Sequence, residues 1–449
     1  MTTSERGAES PRNTIFALST APGRAALAVI RLSGPRAGPA LAALVSAMPR
    51  PRHASLRRLL HPETGEPVDD ALVLWLPGPG TETGEDMAEL HIHGGPAIIR
   101  ALLRVLGDID GLRLAEPGEF VRRAFRNGKL DLTAVEGIAD LIEAETEGQR
   151  RQAMRQASGG LASLYDGWRT RLIEAQALVE AAIDFSDETD VNSDAVARAV
   201  VIAGELTSAL RRHLDDGRRG EVMRQGLRVV IAGPPNAGKS SLLNMLARRE
   251  AAIVSEEAGT TRDVIEVFMD LSGLPVILVD TAGLRDVDAP IEREGIRRSK
   301  HQAREADLVV WLSEAAEPIA PPIEALGGRA ERVIAVATKI DRSPSLDPST
   351  RGISTMTGEG VETLVQTITD KASSLLGDSE SPLITQARHR EHVTRALVAL
   401  EAFLASDMSA PELAAEELRR AAHDLGRISG RVDVEDILDH VFSRFCIGK

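Results

Sequence analysis

Residues Gly233–Ser240 read GPPNAGKS, and no other stretch constrains the fold of this chain so tightly. The octapeptide satisfies G-x-x-x-x-G-K-[ST]. An apolar run, Leu227–Ala232 (LRVVIA), leads into it, and a helical pattern, Ser241–Arg248 (SLLNMLAR), leaves it. Strand, glycine-rich turn and helix N-terminus in that order predict a phosphate cradle. The unpaired amides of the turn and the positive end of the helix dipole converge on one point. Gly233 and Gly238 let the backbone approach phosphate oxygens. Asn236, Ala237, Gly238, Lys239, Ser240 and Ser241 are the expected phosphate-binding residues. Lys239 would reach the terminal phosphates, and the Ser240 hydroxyl would take Mg²⁺.

Two further motifs stand at strand ends. Asp280, Thr281, Ala282 and Gly283 (DTAG) follow the apolar run Pro275–Val279. An aspartate there can hold Mg²⁺ through water, and the glycine amide can sense a γ-phosphate. Thr338–Asp341 (TKID) follows Arg332–Ala337. The Asp341 carboxylate can accept two N–H bonds from a guanine edge, a pair that adenine does not offer, so GTP is the expected nucleotide. This series resembles the GTPases of the translation-factor class, whose last motif is usually N-K-x-D. Thr338 stands where asparagine is expected, while Lys339 and Asp341 keep the stacking stem and the guanine clamp. Ser354, in ISTMTGEG, fits the last base-contacting loop.

The length of 449 residues implies two or three domains. A formal net charge of −14 argues against capture of nucleic acid by bulk charge, though a local basic patch remains compatible with it. The lone cysteine, Cys446, excludes an intrachain disulfide framework and suits a reducing compartment. No apolar run approaches a membrane span, and the N-terminus MTTSERGAESPRN lacks a secretory core, so a cytoplasmic protein is expected.

The texture changes along the chain. Residues 14–125 mix short strands (Thr14–Ser19, Ala25–Arg31, Ala71–Leu76, Met87–His93) with a short helix at Ala40–Met48 and a strong one opening at Pro96. From Lys129 to Asp216 the pattern is helical, with breaks near Ser158–Gly160 and Asp184–Ser193. Strand–helix alternation fills about 225–375, and helical texture returns at Ile384–Leu404 and Glu412–Phe445. The expected fold class is multidomain α/β and α. Residues 1–125 form an α+β domain, and 126–222 with 376–449 form a helical domain. A Ras-like P-loop GTPase domain, 223–375, is inserted into the latter.

Many GTPases carry, after the DxxG glycine, a glutamine that positions the attacking water. Leu284 stands there and cannot. Glu292, in the loop Arg285–Gly295, is the candidate substitute, against the alternative of a solvated loop carboxylate. Asn236 reads either as a turn residue tolerant of left-handed backbone or as a ligand for a monovalent cation that bridges the phosphates. The segment Ser255–Asp263 (SEEAGTTRD) would wrap that cation, with Thr261 completing the Mg²⁺ site.

The ensemble GPPNAGKSSLLN, AGTTRDV and DTAGLRD resembles the MnmE (TrmE) family of tRNA-modification GTPases. So do PGRAALAVIRLSG, GEDMAELHIHGGP, PGEFVRRAFRNGKLDL and the terminal FCIGK, and the likeness covers essentially the whole chain. It implies a folate-binding-like N-terminal domain that pairs with its twin in a homodimer. It implies a flavoprotein partner (MnmG, or GidA) in a heterotetramer acting on tRNA, with no membrane involved. It implies potassium-stimulated GTP hydrolysis. The linked reaction would add an aminomethyl or carboxymethylaminomethyl group to carbon 5 of the wobble uridine, the one-carbon unit coming from 5-formyltetrahydrofolate or methylenetetrahydrofolate. By matching motif, Arg31, Glu89, Lys129 and Lys449 would contact the folate. Asn236, Ser255, Glu257 and Thr260 would hold K⁺, with Ser255 and Glu257 standing where the family often has threonine and an aliphatic residue. Glu292 would be the catalytic glutamate, beside Lys239.

Several residues read two ways. An arginine or lysine suits a folate's glutamyl carboxylate and a carboxylate suits its pterin edge, yet Arg31, Glu89 and Lys129 also read as solvated charges. His91 and His93 lie on one strand face without an evident third metal ligand. Cys446 reads equally as a thiol active in the chemistry and as a small apolar group. The competing functional class is a regulatory GTPase switch in ribosome or RNA assembly; folate binding separates the two.

Overall fold

The computed structural model describes residues 13–184, 189–216, 218–249, 252–253, 266–280, 301–342, 351–377, 382–406, 411–432, 438, 441–443 and 445–448. The chain divides into two compact units, 1–139 with 426–449, and 140–425.

The first unit is built on strands β1 (Thr14–Leu18), β2 (Leu27–Ser33), β3 (Ser55–Leu60), β4 (Pro67–Leu76), β5 (Met87–His93) and β6 (Leu112–Leu114). They form one sheet in the order β3-β4-β5-β2-β1-β6. Helices α1 (Ala37–Leu44) and α2 (Pro96–Asp108) cover one face. Helix α2 starts at Pro96, whose missing N–H costs nothing at that position. It buries Ile99, Leu102, Val105 and Leu106 at helical spacing against Ile30, Leu32, Leu90 and Ile92. On the opposite face Ile15, Ala17 and Met87 meet Phe120 of α3 (Glu119–Arg126). The C-terminal segment returns to this unit, where Val441, Phe442 and Phe445 pack on Val121, Leu132 and Val135.

Three elements of this unit were not expected from the sequence, β3, β6 and α3. Helix α3 carries Glu119, Arg122, Arg123 and Arg126, which mask its short apolar stripe. Glu119 is buried, and burial works against its charge. Arg113, the Glu116 amide and Arg123 nevertheless hold its carboxyl below the ordinary range. The short helix expected at Ala40–Met48 lies at Ala37–Leu44.

The second unit joins a helical part to a seven-stranded sheet. Its helices are the end of α4 (Leu132–Glu143), α5 (Glu147–Ala157), α6 (Gly160–Asp184), α7 (Thr189–Leu214) and α8 (Arg219–Gln225). After the sheet come α11 (Ala387–Ala405) and most of α12 (Pro411–Ser429). Helix α7 opens inside the interval read as a break at Asp184–Ser193. Thr146 and Gln149 form a reciprocal capping box that starts α5. Arg390 of α11 donates to Asp216 (2.7 Å), Glu221 (2.8 Å) and the Leu214 carbonyl (3.0 Å). A Cβ at Gly220 would lie 2.3 Å from the Ile384 carbonyl oxygen, so the chain entering the sheet region and the chain leaving it meet there.

Inside the helical part Tyr165 Oη lies 3.0 Å from His213 Nε2, with Trp168 edge-on to both rings and His389 edge-on to Tyr165. Burial lowers the His213 pKa to about 4. Asp216 pulls the other way, and His389 and Arg390 reinforce the fall. The unfolded chain takes this proton near 6.5 and the folded chain only near 4. Stability is therefore intact above the unfolded value and drains away as pH falls through that window, by about 2 kcal/mol on reaching pH 5 and about 3 kcal/mol in all. Urea unfolding at pH 7.5 and 5 should show this loss. A His213→Gln variant with the same pH slope as the native protein would refute the assignment.

The sheet comprises β7 (Leu227–Ala232), β8 (Ala252–Ile253), β9 (Glu266–Leu271), β10 (Leu274–Asp280), β11 (Leu308–Glu314), β12 (Val333–Thr338) and β13 (Gly352–Ile353). Its order is β13-β12-β11-β7-β10-β9-β8, parallel except that β9 runs antiparallel to both β10 and β8. Strand β7 is central and buried on both faces. Val229 and Ile231 enter one core with α9 (Lys239–Ala247) and α10 (Val361–Leu376), while Val230 and Ala232 enter the other. A strand sandwiched in this way reads as the unbroken apolar run seen in the sequence. The turn at the tip of β9–β10 abuts the foot of α5, where the Gly148 amide donates to the Gly273 carbonyl at 2.9 Å.

Candidate nucleotide and folate sites

Strand order reverses at β7, which has parallel neighbours on both sides. In open α/β sheets that crevice, beyond the carboxyl ends of the strands, is where ligands bind. The loop Gly233–Gly238 occupies it. Gly233 has φ +153°, and a Cβ there would lie 2.2 Å from the Leu312 carbonyl oxygen, so only glycine lets the turn leave β7 beside β11. Asn236 is left-handed (φ +63°) and exposed, which satisfies its turn reading and leaves its amide at the surface of the loop. Ala237 is buried in the core and anchors the loop. Gly238 (φ +91°) caps α9, with open space where a side chain would be. The first amides of α9 have no carbonyl of their own helix to bond, as at any helix N-terminus, and so suit an anion.

Lys239 and Ser240 open α9. The ammonium of Lys239 donates to the carbonyls of Gly233 (3.0 Å) and Pro234 (2.8 Å). Burial lowers its pKa and Asp280 pulls it back up. Ser240 Oγ donates to Asp280 Oδ2 at 2.7 Å, joining the end of β10 to the loop. A hydroxyl and a carboxylate at that distance are hard oxygen donors of the kind Mg²⁺ takes. Ser241 is exposed on the next turn position.

The base-side residues also come together. Asp341 Oδ1 accepts from Ser354 Oγ at 2.6 Å, and that hydroxyl accepts in turn from the amides of Met356 and Thr357. Lys339 is left-handed (φ +59°) and pairs with Glu314 at the end of β11. Thr338 is buried, and its hydroxyl donates to the Ser313 carbonyl at 3.2 Å. The threonine in place of the usual asparagine therefore ties β12 to β11, and the loop is fastened rather than loosened. Thr281, Ala282, Gly283, Ser255, Glu257, Thr260, Thr261 and Glu292 lie outside the described residues.

In the first unit, strand register places Arg31 opposite Glu89 although 58 residues separate them. Arg31 Nε donates to Glu89 Oε1 (2.9 Å) and Nη1 to Glu82 (3.0 Å), and Glu89 Oε2 lies 3.1 Å from His91 Nε2. Lys129 reaches the same loop, since a Cβ at Gly84 would lie 3.1 Å from its Cε. Three of the four expected folate residues thus converge, and Glu89 is engaged by a cation rather than simply solvated. His93 pairs with Asp69, and no group of three metal-ligating side chains occurs among the described residues. The tail is fixed to this unit. Ile447 bridges to Pro117, and Ser19 Oγ donates to the Gly448 carbonyl at 2.9 Å. A Cβ on Gly448 would lie 2.1 Å from the Leu18 carbonyl oxygen, so glycine is required there. Cys446 is exposed, which removes a packing role for it. Lys449 lies outside the described residues.

The MnmE helical domain family matches residues 132–446, and the GTP-binding protein TrmE N-terminus family matches residues 14–129. The tRNA modification GTPase MnmE of Parvibaculum lavamentivorans is 52% identical over 444 residues, covering 97% of this chain and 100% of its own. That of Rhodopseudomonas palustris is 50% identical over 440 residues, covering 97% and 99%. Among solved structures, the G domain of the T. maritima FeoB iron transporter aligns at 26% identity over 32% of this chain and 98% of its own, with a TM-score of 0.24. No helix among the described residues is long and apolar enough to cross a membrane. Half-identical to these relatives across nearly its full length, and folded around a phosphate loop, the chain belongs to the MnmE, or TrmE, family of tRNA modification GTPases.

Proposed function

We propose that this protein hydrolyses GTP as one subunit of a tRNA-modifying complex. With a flavoprotein partner it adds an aminomethyl or carboxymethylaminomethyl group to carbon 5 of the wobble uridine, taking the one-carbon unit from a tetrahydrofolate. The observation that carries the hydrolytic part is the junction of Lys239, Ser240 and Asp280, where one ammonium, one hydroxyl and one carboxylate meet at the helix N-terminus. The amides of 236–241 bind the phosphates, and Lys239 exchanges the carbonyls of Gly233 and Pro234 for phosphate oxygens. Ser240, Asp280 and Thr261 hold Mg²⁺, which neutralises charge developing on the β- and γ-oxygens. Thr281, Ala282 and Gly283 line the γ-phosphate side. Asp341 selects guanine, with Thr338, Lys339 and Ser354 shaping the base slot.

Asn236, Ser255, Glu257 and Thr260 hold K⁺, which supplies positive charge where other GTPases use an arginine. Glu292 orients water in place of the missing glutamine. Arg31, Glu89, Lys129 and Lys449 receive the folate, the cations at its carboxylates and Glu89 at the pterin edge. Convergence of the first three on the 82–89 loop and strand supports that reading. Cys446 acts in the uridine chemistry, a reading that its exposure on the anchored tail supports. The first unit is the place for pairing with a second copy, because Leu27, Leu56 and Leu72 are exposed on its sheet.

GTP turnover measured in potassium and in sodium, with a parallel titration of 5-formyltetrahydrofolate, tests the proposal. Turnover should be at least about tenfold higher in potassium, the scale of one well-placed charge. Equal rates would remove the cation. Folate failing to bind would favour the assembly-switch class.

A further inference from the structure

Helix α5, the start of α6 and the segment Pro382–Thr385 enclose a cavity of about 500 Å³, within the range of ligand-binding clefts. It belongs to neither site described above. Arg150, Arg151 and Arg155 line it, and among the described residues no aspartate or glutamate does. Arg150 and Arg151 share a single carboxylate, Glu147, each with Nε at 2.7 Å. Arg155 is exposed and makes no ion pair among the described residues. Among the described residues, three guanidinium groups against one carboxylate leave a local excess of positive charge on a chain whose formal net charge is −14.

The cavity is a built one. Its floor is polar and already satisfied: Thr385 Oγ1 donates to Gln156 Oε1 at 2.7 Å, and Gln152 Nε2 donates to the Gly220 carbonyl at 3.1 Å. Met154, Leu161 and Leu383 add apolar wall. The capping box and the Gly148–Gly273 hydrogen bond hold the foot of the helix that carries the arginines. Arg151 and Arg155 are four apart, so they stand on one stripe about 5–6 Å from each other at Cβ. That spacing is on the scale of a nucleotide step. Arginine binds phosphate in a planar, two-pronged manner and stacks on bases.

We propose that this cleft seats the phosphodiester backbone of the tRNA, with Arg150, Arg151 and Arg155 gripping phosphates at its mouth. The inference rests on the tRNA-modifying function proposed above and adds where this subunit touches the RNA. An acidic protein repels RNA over most of its surface, so its contacts must fall where arginines outnumber carboxylates. The cavity behind them gives room to a nucleotide turned out of the strand.

Fluorescence anisotropy of labelled tRNA with the full-length protein, over a salt series, provides the test. Arg155→Glu should weaken binding about tenfold near 0.1 M salt and reduce the salt slope by about 1. Arg155→Lys should retain most of the affinity, and both variants should hydrolyse GTP at the native rate. Native affinity and slope in an Arg151→Glu/Arg155→Glu double variant would overturn the inference while leaving the tRNA-modifying function standing. Absence of tRNA binding by the native protein would overturn both. Inorganic pyrophosphate binding that is lost in the variants, with tRNA binding intact, would assign the cleft to small anions instead.

Discussion

Lys239→Ala is expected to lower kcat/KM for GTP by about 10³-fold. The loss has two parts. The triphosphate loses a charge-assisted donor that strengthens as charge moves toward the leaving oxygen, and removal of one such donor costs about 10²–10³-fold in comparable sites. The carbonyls of Gly233 and Pro234, which the ammonium holds at 3.0 and 2.8 Å, also lose their partner, so the loop itself is less ordered. The low dielectric that lowers the lysine's pKa also strengthens its pull on phosphate. Single-turnover hydrolysis together with calorimetric GTP titration measures both effects. Activity within threefold of native would mean that the phosphates are carried by the amides alone. Lys239→Arg, which keeps the charge but changes its shape, should recover only part of the loss.

Glu292→Ala should leave GTP affinity within about twofold of native and lower turnover by about 10²-fold, the usual contribution of a positioned acid–base group. The residue after the DxxG glycine is Leu284, which can neither donate nor accept a hydrogen bond, so water must be oriented from elsewhere. Glu292→Gln separates the possible roles. If the side chain only orients water, the amide retains much of the rate; if it takes the proton, the amide is as poor as alanine. Turnover at the native level in both variants would move the function to another residue. Both variants are best compared in potassium, because the proposed cation role would have sodium depress the native rate and hide the contrast.

How far these sites could be read from the sequence depended on whether the contacts were local. Strand β7, the loop and α9 are consecutive, and burial of β7 on both faces leaves an apolar run that no surface strand would show. Pro96 and the spacing of Ile99, Leu102 and Leu106 declared α2 in the same way. The pairing of Arg31 with Glu89 is different. It follows from the register of β2 on β5, and no spacing within either segment announces it. Asp341 and Ser354 meet across the same kind of gap, at the ends of β12 and β13. Helix α3 was hidden because Glu119 and Arg123 point inward as an ion pair, so its polar residues did not mark a solvent face. The arginine cleft was hidden for a third reason. Most of it comes from residues 150–161 and the rest from the distant 382–385, and net composition points the other way.

Strand β10 ends at the Asp280 carboxylate beside Ser240 and begins just after Gly273, whose carbonyl receives the Gly148 amide of α5. Its seven residues span roughly 20 Å with no joint between. The strand ties the carboxylate beside Ser240 to the root of the helix that displays Arg150, Arg151 and Arg155. The phosphate loop and the arginine helix are thus moored to opposite ends of one stiff member.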